Sequence, residues 1–328
     1  MLDQAIHQTT MQGMSVTRDQ AETRESLQRS LQGVSSRHRG EKIIQGILAA
    51  CAILSIATTI GIIFILVEQA VEFFVEVNPI DFLFGTKWTA LFKNGEFGVI
   101  PLVAGTMFIS VLAMVIAIPL GLMAAIYLSE YASFRARSIL KPALELLAGI
   151  PTIVYGYFAL TFLTPNVLQK ISDQTAPYNV LAGAIAVGVM VLPMVASLSE
   201  DAIRAVPKSL REAAYGVGAT KLEASTRVVL PAALSGIVSA IILAISRAVG
   251  ETMIVALATG SRAQLTSDPR QPMQAMTGYI VQVFSGDVVS GSTVYLSLFA
   301  VGLLLFVITL LMNIVSHIVV RRFREEYQ

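Results

Sequence analysis

Residues 246–260 read SRAVGETMIVALATG and place an arginine, Arg247, four residues before a glutamate, Glu251, inside an apolar run from 232 to 258. An unpaired arginine near the centre of a bilayer costs from about 2.5 to over 10 kcal/mol, so Arg247 must face protein, water or a partner. On one continuous helix Glu251 falls on the same face, within reach of the guanidinium. That face continues through Gly236, Ala240 and Ala244, small residues that let another helix approach closely. The pair can neutralise itself and lock two helices together. Alternatively it can line a cation path led by the glutamate, or an anion path led by the arginine.

A second constellation lies just upstream in SEDAIRAVPKSLREAAYGVGATKLEASTRVVLP. Leu210, Ala213, Ala214 and Val217 recur at i, i+3, i+4 and i+7, an apolar stripe on a short helix that Pro207 can start and Gly216 to Gly218 can end. Thr220 and Glu223 form a T-x-x-E capping box, so a second helix starts there and runs toward Pro231. A helix-turn-helix can read DNA, but Glu200, Asp201, Glu212 and Glu223 nearly offset the five bases of this loop, which leaves too little positive charge for phosphate backbones. The chain contains no G-x-x-x-x-G-K-[ST] and no Gly-Lys pair, so it has no loop of the kind that cradles nucleotide phosphates.

These residues need a membrane to position them. The 328-residue chain is 55% hydrophobic and 14% charged, against about 25% charged in soluble domains. Its mean hydropathy is +0.70. An all-α integral membrane protein follows. With about 20 apolar residues per crossing, six transmembrane helices are predicted, over 43–67, 100–128, 139–163, 179–198, 232–258 and 293–320. Pro119, Pro151 and Pro193 fall inside three of them, where each removes a backbone donor and kinks its helix.

Basic loops stay cytoplasmic. With the N-terminus inside, the inner segments carry 17 of the 23 basic residues, the outer loops carry 5, and Arg247 is the remaining one. Both termini are therefore expected in the cytoplasm. Residues 1–42 read as a polar cytosolic tail, partly disordered, 68–98 as an external loop, and 99–320 as a five-helix core containing the cytoplasmic loop 199–231. Residues 321–328 form a basic C-terminus. The single Cys51 excludes an intrachain disulfide and a thiolate metal site, and the near-balanced charge gives no footprint for nucleic acid.

The loop resembles the signature of permease subunits of bacterial ATP-binding-cassette (ABC) importers, E-A-A, three residues, G, nine residues, then I-x-L-P. Here Glu212-Ala213-Ala214 precedes Gly218 by three residues, and Val228-Val229-Leu230-Pro231 follows after nine more, with Val in place of Ile. SRAVGETMIVALATG is similar to the R-A-x-G-E-T-M motif of the C-type permease subunit of the phosphate-specific (Pst) importer. FGVIPLVAGTMFIS, PLGLMAAIYLSEYA, AGIPTIVYGYFAL and LPMVASLSEDAIRAVPKSLREAAYGVGATK resemble that subunit in the same order, from about residue 80 to the C-terminus. The sibling A-type subunit carries small and apolar residues where this chain has Thr252 and Met253.

The resemblance implies a type I ABC importer permease fold in the bacterial inner membrane. It implies a heterodimer with an A-type permease, two copies of an ATPase that bind ATP and Mg, and an extracytoplasmic phosphate-binding protein. This chain is then not an enzyme and holds no cofactor or metal of its own. Leu210, Glu212, Ala213, Ala214, Val217 and Gly218 would dock the ATPase. Arg247 would be a way-station for phosphate, its planar fork suited to oxyanions, with Glu251 positioning or discharging it. Thr252 and Thr152 offer hydroxyls to the same path, although lone threonines in spans commonly bond their own backbone. Sulfate, molybdate and tungstate are the rival substrates. An ion-coupled secondary transporter, or a membrane scaffold without transport, would not need the loop signature.

Overall fold

The computed structural model describes residue 41, residues 43–93 and residues 95–323. The expected tail, apart from residue 41, and residues 324–328 lie outside the described residues. Two units divide the chain, Met1–Ile65 and Leu66–Gln328. The described part of the first is residue 41 and the leading portion of α1 (Ile43–Glu76), whose Ile43, Leu48, Leu54 and Phe64 are exposed on this chain.

The second unit is a bundle. After the end of α1 come α2 (Pro79–Phe84) and α3 (Ile100–Ile126), which continues as a π-type turn through Tyr131. Next are α4 (Phe134–Ala148) and α5 (Thr152–Phe158), the latter running through a π-type stretch into α6 (Gln169–Ile171), and then α7 (Val180–Ala205). The loop region holds α8 (Lys208–Gly216), α9 (Lys221–Ala224) and α10 (Leu230–Ala232), and the chain ends with α11 (Leu234–Val249), α12 (Met253–Ala258), α13 (Met276–Phe284) and α14 (Thr293–Phe323).

Among the described residues four helical stretches, Ile43–Glu76, Ile100–Tyr131, Val180–Ala205 and Thr293–Ser316, are long and apolar enough to cross a membrane singly, and two bent pairs raise the number to as many as six when each pair is counted as one span. The core of the unit is α3 against α7. The two approach closely because a Cβ on Gly121 would stand 2.8 Å from Val195 and one on Gly188 would stand 3.0 Å from the Ala113 carbonyl.

Two expected spans are broken, the first at Pro151, where a kink was expected. The span expected over 139–163 is α4 followed by Thr152–Ile171 at 85°. Pro151 has no N–H to donate and drives the residue before it out of helical geometry, and the Tyr155 hydroxyl closes the bend by donating to the Leu147 carbonyl at 2.7 Å. The span expected over 232–258 is preceded by a 69° bend between Lys221–Ala232 and α11, and it is interrupted between Val249 and Met253. Pro119 and Pro193, by contrast, lie inside α3 and α7 without breaking them.

The region expected as an external loop, 68–98, begins with the last turns of α1 and then folds tightly. Phe73, Phe82, Trp88, Phe97 and Tyr279 meet edge to face, a geometry aromatic quadrupoles favour. Tyr279 belongs to α13, a short buried helix for which hydropathy alone predicted no element.

Candidate functional site

The site is set by where α11 stops. Gly250 ends the helix, with its N–H bonded to the Ser246 carbonyl at 3.3 Å. Beyond it the first N–H groups of α12 have no intrahelical acceptor, a cost that a buried helix start must meet with a side chain. Glu251 meets it. Its Oε1 accepts from the backbone N–H of Met253 at 3.1 Å and of Ile254 at 3.2 Å, while the Thr277 hydroxyl donates to its carbonyl at 2.7 Å. The residue is 7% exposed.

The expected Arg247–Glu251 pair is therefore not formed. Four-residue spacing joins two side chains only on a continuous helix, and here the helix ends between them. Arg247 instead donates through Nε to the sulfur of Met190 on α7 at 3.2 Å. Among the described residues it has no carboxylate partner, and its side chain is exposed on this chain.

Thr252 is half-buried and its hydroxyl donates to the Gly250 carbonyl at 3.2 Å, the local backbone bond common for threonine in a broken span. Thr152 is the first residue of α5 and half-buried. Its helix packs on α12, because a Cβ on Gly156 would stand 3.0 Å from Ile254 Cα and 3.1 Å from the Met253 carbonyl. The fold thus places the two threonines on touching elements, without a hydrogen bond between their side chains among the described residues.

In the loop, both bonds of the capping box are made: Thr220 accepts from the Glu223 N–H at 3.3 Å, and Glu223 accepts from the Thr220 N–H at 2.9 Å. The apolar stripe does not act as one face. Leu210 packs against the cluster of Ile203, Val206 and Val229 and Ala214 is buried, whereas Ala213 is exposed and Val217 is 87% exposed. The reason is that α8 ends at Gly216, so Val217 has already left the helix. Gly218 then takes φ +87°, a left-handed conformation that glycine alone adopts without strain. Glu212 and Gly218 are exposed beside Val217, so one side of this turn holds the chain and the other faces outward.

Two further anchors escaped the reading of the loop by net charge. Arg211 donates to the Ile203 and Val206 carbonyls, both at 2.7 Å, and to Glu130 Oε1 at 3.1 Å. It thereby closes the C-terminus of α7 and ties α8 to the end of α3. Glu200, fully buried on α7, is met by Arg137 and by Lys141 at 3.2 Å from α4, and by Arg204 at 3.7 Å. The i, i+4 spacing of Arg137 with Lys141 and of Glu200 with Arg204 was the available signal. Nothing local said that the two pairs meet.

Among the described residues no group of three histidine, cysteine or acidic side chains is placed to hold a metal. A cavity of about 550 Å³ lies apart from Arg247, among Trp88, Phe92, Tyr178, Arg262 and Gln274.

Residues 117–325 match the family described as the binding-protein-dependent transport system inner membrane component. The chain is 36% identical over 293 residues to the probable ABC transporter permease protein YqgH of Bacillus subtilis, covering 88% of this chain and 94% of that one. It is 33% identical over 259 residues to the phosphate transport system permease protein PstC of Mesorhizobium japonicum, covering 74% and 78%. Among solved structures, a bacterial alginate ABC transporter in complex with its alginate-pentasaccharide-bound periplasmic protein superposes with a TM-score of 0.57 at 17% identity, covering 78% of this chain and 87% of that one. The methionine ABC transporter MetNI in an inward-facing conformation superposes with 0.53 at 20% identity, covering 69% and 94%. At these identities the structural likeness speaks for the fold.

Proposed function

Since the chain belongs to the binding-protein-dependent transport system inner membrane components, the permease subunits of ABC importers in the bacterial inner membrane, we propose that its cargo is inorganic phosphate and that Arg247 is the residue phosphate meets within the membrane. One observation carries this reading: an arginine in an apolar helix has no carboxylate partner among the described residues and presents its guanidinium on the surface of the chain. Such a charge is tolerated only against water, an anion or another protein chain. A planar fork of donors suits a tetrahedral oxyanion.

The exposure also favours a second permease chain of the A-type, which would cover this face and contribute a matching cation. The outward side of the turn after α8, with Glu212, Ala213, Val217 and Gly218, is suited to a groove on a separate ATPase that binds ATP and Mg. Leu210 and Ala214 instead fasten α8 to its own chain. An external binding protein would deliver phosphate. The PstC relatives support phosphate over sulfate, molybdate or tungstate. An ion-coupled secondary transporter is disfavoured, since it would need Glu251 paired with Arg247, and that carboxylate is engaged by two backbone donors instead.

The test is the initial rate of labelled phosphate uptake in cells lacking this chain, complemented with wild type or with Arg247→Gln at equal membrane abundance. Restoration by wild type alone is the expected result. Restoration by both refutes the role of Arg247, and restoration by neither refutes phosphate.

A further inference from the structure

Glu200 is the one fully buried carboxylate among the described residues, and the path for phosphate does not use it. Helix α4 has no buried residue of its own, yet it sends Arg137 and Lys141 to this one side chain on α7. Lys141 also donates to the neighbouring Asp201 at 3.1 Å. The oxygens of Glu200 meet their cations at ion-pair distance without aligned hydrogen bonds. A carboxylate so deeply buried is held in place by its charges, and removing any partner leaves the others unbalanced.

The position of this cluster matters. Glu200 lies about two helical turns before α8, whose start is fastened to α7 and α3 by Arg211. On the other side, α4 leads through the 85° bend into α5, and α5 lies against α12 at Gly156. The elements from the outward-facing turn of α8 to the start of α12, just beyond Arg247, thus form an unbroken series in which the α7–α4 step passes through Glu200.

We propose that Glu200 is a positioning residue that makes α4 move as one body with α8, so that displacement of the loop by an ATPase reaches the α5–α12 contact. The proposal rests on the reading of α8 as the ATPase-docking element. It is independent of what is transported.

The test uses the complete transporter in proteoliposomes, in a Cys51→Ser background, with nitroxide labels at Phe134→Cys on α4 and Ser209→Cys on α8, both exposed positions. With Glu200 present, one narrow distance is expected both without nucleotide and with ATP plus vanadate. In Glu200→Gln the distance should broaden and shift on adding nucleotide, while phosphate taken up per ATP hydrolysed falls on the order of tenfold, the scale of a typical coupling free energy. Glu200→Asp should restore the narrow distance. Should Glu200→Gln fail to accumulate, Arg137→Gln must show the same broadening. A narrow, nucleotide-independent distance in the neutralised variants overturns the proposal, as does a nucleotide-dependent distance in the parent. Because the distance is read without transported substrate, its result stands apart from the test of phosphate.

Discussion

The Nε of Arg247 lies 3.2 Å from the sulfur of Met190, and the two residues join α11 to α7. A thioether is a weak acceptor, so it orients the guanidinium without neutralising it. Met190 is 5% exposed. Met190→Leu keeps the packing and removes the acceptor. It should leave membrane abundance unchanged and lower phosphate uptake a few-fold, on the scale of about 1 kcal/mol for a lost hydrogen bond. Met190→Ala should in addition lower the unfolding temperature, since truncating a buried methionine typically costs 2 to 5 kcal/mol, roughly.

Glu251 acts on the backbone, and that makes its amide a good substitute. Glu251→Gln retains an oxygen for the N–H groups of Met253 and Ile254 and should unfold within a few degrees of wild type. Glu251→Ala should lose about 0.5 to 2 kcal/mol, the usual value of a helix cap. Thermal unfolding of the purified protein in detergent distinguishes this from a charge-pairing role, in which the glutamine and alanine variants would suffer alike.

Gly156 holds α5 against α12 by having no side chain. Gly156→Val would drive methyl groups into the backbone of Ile254 and Met253, and overpacking of this kind costs about 1 to 3 kcal/mol. Reduced accumulation together with lost uptake is expected, measured by quantitative immunoblot beside the transport assay. Gly149→Val, where the nearest foreign atom is a carbonyl of the same turn at 3.4 Å, should be milder.

Arg211 satisfies two carbonyls at the end of α7 and pairs with Glu130. Arg211→Ala leaves a largely buried carboxylate and two acceptors without it, a loss of about 1 to 3 kcal/mol. The local consequence is a loosened α8. Co-purification of the ATPase should fall in Arg211→Ala, and Arg211→Lys should recover it only in part, because one ammonium cannot span all three acceptors.

Outside the spans, the hydrogen bonds from Arg270 hold the Asp268 carboxyl below the usual carboxylate range, and Arg270 also reaches Gln174 at 3.1 Å. A depressed carboxylate supports the folded loop above its unfolded pKa, roughly 3.9, and that support fades as the pH drops through the lower folded value. Proteolytic accessibility of the 261–275 loop should therefore be flat from about pH 8 to 5 and rise only below about pH 4. In Asp268→Asn it should be higher throughout, with no acid step.

Much of this protein was legible residue by residue. Apolar length is a property of neighbours along the chain, and it located the four stretches that can cross singly, although α1 runs nine and α7 seven residues beyond the stretches expected. Caps are equally local, and Thr220 with Glu223 forms the bonds its spacing implies. The loop signature and the arginine motif likewise marked the family without a fold.

Partners were another matter. Hydropathy runs straight through Gly149 to Pro151 and Gly250 to Thr252: Pro151 marked a kink without its 85° angle, and the end of α11 was not expected. Once α11 ends at Gly250, the buried N–H groups of α12 take the carboxylate that spacing had assigned to Arg247. The meeting of Glu200 with Arg137, and of Met190 with Arg247, joins residues more than fifty positions apart. The sequence by itself determined which segments leave water and where their charges lie, because transfer to lipid is summed locally. Only the tertiary structure decided which of those charges are paired, because a buried charge or donor is satisfied by whatever the packing brings within about 3 Å.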